Sequence, residues 1–182
     1  ELAAWGRVPR MTIPGLMTVP GLMTVPGLMT VPWLSLLLLI PFLGTLALLL
    51  WPGEPSPARL RKITIAVLSA QLAASLALLL VFDPAIPGLQ LQELHRWLPS
   101  LGLNYQLGVD GLSLPLVLIN AGLTLVSAVC TRDFSKRPRI YFSMLLLISG
   151  AVNGAFLADN LLLFFLFYEL ELIPLWLLIS IW

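Results

Sequence analysis

The chain has 182 residues, 59% of them apolar and 10% charged, with a formal net charge of +1 and a mean hydropathy of +0.97. Soluble domains run at roughly 45–50% apolar and about 25% charged residues, so these charges are too few to cover a water-facing surface, and a lipid bilayer is the remaining solvent. The balanced charge excludes a nucleic-acid partner, which needs clustered Lys and Arg, and the lone Cys130 excludes an intrachain disulfide and a thiolate metal cluster.

The first organised feature is an exact repeat, GLMTVP, at Gly15 to Pro20, Gly21 to Pro26 and Gly27 to Pro32, preceded by a partial copy at Met11 to Pro14. Pro at every sixth position followed by Gly prevents a continuous helix, and three short copies are too few to stack a solenoid core. Residues 1–32 are therefore expected to be extended and disordered. Each copy carries a Met, so translation is expected to begin as late as Met29.

Residues 33–182 predict an all-α membrane domain. A hydrocarbon core of about 30 Å needs about 20 helical residues at about 1.5 Å each. Trp33 to Leu50, Ile63 to Phe82, Gly111 to Cys130, Tyr141 to Ala158 and Leu161 to Trp182 meet that length and contain no Lys or Arg. Pro41, Pro115 and Pro174 fall inside spans, where neighbouring helices or water can satisfy the freed carbonyls.

Basic residues in short connections set the orientation. Arg59, Arg61 and Lys62 follow the first span, and Arg132, Lys136, Arg137 and Arg139 follow the third. Both connections belong on the cytoplasmic side, which puts the N-terminus outside and the C-terminus inside. The outer connection from Asp83 to Asp110 carries Leu89, Leu91, Leu94, Trp97 and Leu98, which predict a short interfacial segment. Its His95 reads as a solvated or headgroup-facing residue rather than a metal ligand.

Chemistry concentrates in the last span, where Glu169 and Glu171 lie near the midpoint. An ionisable group there costs several kcal/mol or more and is by default a functional candidate. At about 100° per residue, the two carboxylates point in nearly opposite directions and cannot share one site. Pro174 removes the amide that would bond the Leu170 carbonyl, which loosens the backbone beside Glu169. A carboxyl whose proton affinity shifts with burial and with a movable cation suits proton relay. A protonated Glu bridging helices is the structural alternative.

The runs QLGVDGLSLPLVLIN (Gln106 to Asn120), GAFLADNLLLFF (Gly154 to Phe165) and FYELELIPLWLLISIW (Phe167 to Trp182) closely resemble the chain 4 family of NAD(P)H-quinone oxidoreductases. These are antiporter-like membrane subunits of complex I, and the YELEL form is most similar to the cyanobacterial and chloroplast branch. The resemblance implies the N-terminal portion of a subunit of about fourteen helices, residing in a thylakoid or plasma membrane among other membrane-arm subunits. It also implies that Glu169 is the family's proton-site Glu, biased by a Lys on a later helix, that Glu171 is a second Glu of less settled role, and that Asp110 and Ser113 form a structural signature. Quinone, flavin and iron-sulfur sites would lie elsewhere in the complex, with no cofactor bound by this chain. The other readings are a subunit of a related cation/proton antiporter or membrane-bound hydrogenase, and a truncated, inert membrane fragment.

Overall fold

A computed structural model describes residues 32–53, 55–86, 88–98, 103–131 and 137–182. The GLMTVP repeat, Pro32 apart, lies outside them, as do Arg132 and Lys136. Five helices form where the sequence places them: α1 (Trp33–Leu49), α2 (Pro57–Val81), α3 (Ser113–Cys130), α4 (Pro138–Leu157) and α5 (Leu161–Ile181). The last four are long and apolar enough to cross a membrane, and α1 is a shorter apolar helix of 17 residues. Helix α2 begins six residues before its apolar stretch and takes in Arg59, Arg61 and Lys62, with Pro57 in its first turn, where a missing N–H costs nothing.

The outer connection, expected to hold a short interfacial segment, forms an antiparallel hairpin, β1 (Gln90–Leu98) paired with β2 (Leu103–Val109). The apolar positions of β2 alternate as Leu103, Tyr105, Leu107 and Val109, the period of a strand with one covered face. Leu107 and Val109 are fully buried and join Leu34, Leu37, Leu78, Leu114, Val117, Leu157 and Leu163 in one apolar cluster. That cluster fastens the hairpin onto all five helices. A register shift between Gln90 and Glu93 holds Leu91 in the left-handed region, at φ 52°. Such a bulge re-aims the residues that follow it, here Glu93.

Helix α4 is the hub: it packs against α1, α2, α3 and α5, and its small residues Ser143, Ser149, Gly150, Ala151 and Gly154 are buried. Lipid does not drive helices together, so small side chains and interhelical hydrogen bonds must. A second apolar cluster, with Leu48, Leu60, Leu68, Ala128, Phe142, Leu145 and Leu146, closes the opposite end of the bundle. Between the two clusters lies a polar layer. Leu43, Leu80, Leu123 and Leu161 point outward, as a lipid-facing surface requires.

Among the described residues, Asp83, Glu93, Asp110 and Asp159 lie at the hairpin end together with Arg96, and Arg59, Arg61, Lys62, Arg137 and Arg139 lie at the other. The Arg61 guanidinium donates to the Ala128 and Val129 carbonyls at the α3 C-terminus, and Arg139 donates to the Gly53 carbonyl in the α1–α2 turn. Arg61 thus satisfies backbone acceptors at a helix C-terminus, where a cation also meets the negative pole of the helix dipole.

Candidate functional site

The site is built on α5. Asn160 starts this helix: its Oδ1 accepts from the Leu162 and Leu163 amides at 3.0 and 3.2 Å, which meets two of the orphan donors of a helix start. The link before it is tied to the hairpin, with the Asp159 amide donating to the Gln106 carbonyl at 2.9 Å and an isolated bridge joining Leu107 to Ala158. One stripe of α5 is covered, running through Leu163, Phe167, Leu170, Pro174 and Leu178. Of the whole helix, only Leu163 and Pro174 are fully buried. At Gly154 the α4 backbone comes so close to α5 that an added Cβ would sit 2.5 Å from the Phe167 ring.

The two carboxylates part as helical geometry requires. Glu169, ninth of the 21 residues of α5, is exposed. It lines a groove of about 800 Å³ between α5 and the hairpin, shared with His95, Trp97, Tyr105, Phe167 and Ile173. Glu171 is half-buried and does not line that groove. Among the described residues neither carboxylate has a hydrogen-bond partner. Pro174 sits on the covered stripe, one turn from half-buried Leu170, whose carbonyl it leaves without an intrahelical amide. His95 is exposed, with its ring edge-on to Tyr105 at 6.0 Å, in keeping with a solvated or headgroup-facing residue.

Asp110 and Ser113 form a reciprocal helix cap. Asp110 Oδ1 accepts from the Leu112 and Ser113 amides at 3.0 and 2.7 Å, while Ser113 Oγ accepts from the Asp110 amide at 2.9 Å. Three backbone amides at the start of α3 are met within one turn. The Ser113 amide, the largest influence, holds the Asp110 carboxyl below its ordinary range. The cap is therefore complete at neutral pH and is lost only as pH falls through that lowered value.

Sequence reading did not find two further constellations. The first joins hairpin and helix: the Glu93 carboxylate accepts from the Leu34 and Ser35 amides at 2.8 and 3.1 Å and from Ser35 Oγ, and Tyr105 Oη lies 2.8 Å from Ser35 Oγ. Because the carboxylate only accepts, Ser35 donates to it and Tyr105 donates to Ser35. Burial pushes the Tyr105 phenol up and the Glu93 carboxylate raises it further, so Tyr105 keeps its proton. Pro32 offers α1 no cap of its own, and Glu93 supplies one from 58 residues away. Glu93→Ala should cost about 1–2 kcal/mol, read as a lower midpoint of detergent-induced unfolding. An unchanged midpoint would show the cap to be without weight.

The second is the polar layer. Asn120 Nδ2 donates to Asn153 Oδ1 and to the Ser149 carbonyl at 2.7 and 3.0 Å, Thr124 Oγ1 lies 3.2 Å from Ser149 Oγ, and Ser149 Oγ donates to Gln71 Oε1 at 3.0 Å. Helices α2, α3 and α4 are thereby cross-linked at mid-bundle. Such interhelical bonds contribute about 0.6 to 2 kcal/mol each in membranes. The i, i+4 pairs Asn120/Thr124 and Ser149/Asn153 put each helix's polar groups on one face, and that spacing was the available signal.

No protein-family model matches the chain. It is 42% identical over 151 residues to a protein of Synechococcus sp. (strain JA-2-3B'a(2-13)) named NAD(P)H-quinone oxidoreductase chain 4 1. Over those 151 residues the chain is similar to that protein. The alignment covers 82% of this chain and 28% of the relative. NAD(P)H-quinone oxidoreductase chain 4 of Synechococcus sp. (strain WH7803) is 37% identical over 151 residues, and that of Prochlorococcus marinus (strain NATL1A) is 37% identical over 152. The chain thus spans little more than a quarter of the length of the NAD(P)H-quinone oxidoreductase chain 4 proteins it matches. The resemblance read from the QLGVDGLSLPL and FYELELIP runs and the similarity over the aligned region agree.

Proposed function

We propose that this chain supplies the Glu-bearing segment of a proton-translocating membrane-arm subunit of an NAD(P)H- or ferredoxin-linked quinone oxidoreductase. Glu169 is the proton-carrying carboxylate. The observation that carries this reading is the 42% identity to a chain 4 protein across 82% of the chain, joined to the position of Glu169 on the open side of α5. A carboxyl facing a partly polar groove can take up and release a proton as its surroundings change, whereas one sealed in apolar packing stays protonated. Its partners are the other membrane-arm subunits and the bilayer; quinone, flavin and iron-sulfur clusters belong elsewhere in the wider complex. Glu171, half-covered by the bundle, tunes the site or bridges helices. Expressed with an affinity tag in a cell that makes such a complex, the chain should co-purify with quinone-reductase subunits. Recovery with hydrogenase subunits instead would favour the related antiporter reading.

The orientation proposed is basic end inward, hairpin end outward, in a plasma or thylakoid membrane. In a Cys130→Ala background, cysteines at Ser56 and Ser135 should react with a membrane-impermeant reagent only after permeabilisation, and one at Ser100 in intact cells or right-side-out vesicles. Labelling of all three from one side would reverse this assignment.

A further inference from the structure

Two amide groups in the polar layer are unfinished. Gln71 and Asn153 are fully buried, yet among the described residues Gln71 Nε2 and Asn153 Nδ2 have no partner. Both side chains belong to one network through α4: Gln71 accepts from Ser149 Oγ, and Asn153, one turn further along, accepts from Asn120, which also donates to the Ser149 carbonyl. A buried N–H is met by protein or by ordered water in nearly every native structure.

We infer that the α2–α3–α4 interface holds an internal water that accepts from both Gln71 Nε2 and Asn153 Nδ2. The chemistry selects water over other small ligands. A cation would face two N–H donors. An anion would need a compensating charge, and beyond Lys62 in α2, along all of α3, and beyond Arg139 in α4 there is no Lys, Arg or His. Turning the Gln71 amide over would leave Oε1 as the unmet atom instead. Water completes either arrangement, because it both donates and accepts, and internal waters typically make two to four such bonds. The site is separate from the α5 carboxylates: it binds the first helices to α4 by neutral groups and carries no charge into the membrane.

The test uses the isotope-labelled chain in perdeuterated lipid bilayers, with proton-detected solid-state NMR reading magnetisation transfer from water. The side-chain amides of Gln71 and Asn153 should both receive transfer at mixing times that leave the backbone amides of buried Leu68 and Leu146 silent. Transfer to neither, or to only one, overturns the shared site. In Gln71→Met, which keeps side-chain length but neither donates nor accepts, transfer to Asn153 should fall several-fold. Persistence at the parental rate also overturns it. Should this variant fail to fold, the parental spectrum decides alone.

Discussion

Glu169→Gln, placed in a complex whose chain 4 carries this segment in place of its own, will leave assembly intact while proton translocation falls by about 100-fold, the usual scale for removing a proton-transferring group. Gln keeps the volume and hydrogen-bonding capacity of Glu and loses only the ability to ionise. The fold should tolerate it, because Glu169 is exposed on α5 and makes no hydrogen bond among the described residues. Coupled quinone reduction should fall with pumping, since a tightly coupled complex cannot turn over electrons with its proton path closed. Pumping at the parental rate in an assembled complex would remove the relay role and leave Glu169 a protonated group between helices.

Glu171→Gln separates geometry from mere mid-membrane charge. About 200° of helical rotation turns Glu171 from the groove that Glu169 lines toward the side covered by the bundle. Its loss should reduce pumping much less than that of Glu169. Equal losses would mean that depth in the membrane, rather than the face of α5, decides which carboxylate matters.

The five helices were legible because a bilayer imposes a length and forbids charge along it, and Leu161 to Trp182 meets both demands apart from its two Glu residues. Their placement two apart on one helix was enough to predict that they diverge. The hairpin was not read, although Leu103, Tyr105, Leu107 and Val109 alternate. β1 lacks that regularity: its bulge after Gln90 shifts the register and scatters Leu91, Leu94 and Trp97. The Glu93 cap on α1 joins residues 58 positions apart, and no local pattern foretells such a pair. The polar layer hid because Gln71, the Asn120/Thr124 pair and the Ser149/Asn153 pair lie on three different helices, and their meaning appears only when those helices bring them to one level.

Gly154→Ala should displace α5 from α4 and so disturb the site without touching a carboxylate. The added Cβ would lie 2.5 Å from two carbons of the Phe167 ring and 2.7 Å from a third, well inside any normal contact. The ring cannot simply swing aside, since the near atoms include the one that joins it to its own Cβ, and Phe167 belongs to the covered stripe of α5. Either the helices separate or the ring leaves its rotamer, at a cost of about 1–3 kcal/mol. Gly122→Ala is the control: nothing lies within 4 Å of its added Cβ, and relief of glycine's backbone entropy should leave α3 unchanged or steadier by up to about 1 kcal/mol. The unfolding midpoint in detergent should therefore drop for Gly154→Ala and hold or rise for Gly122→Ala. Two residues beyond Phe167, Glu169 would move with the helix, so proton translocation in the assembled complex should fall for the first variant and not for the second. Equal midpoints would show that α4 and α5 are held by contacts other than this close approach.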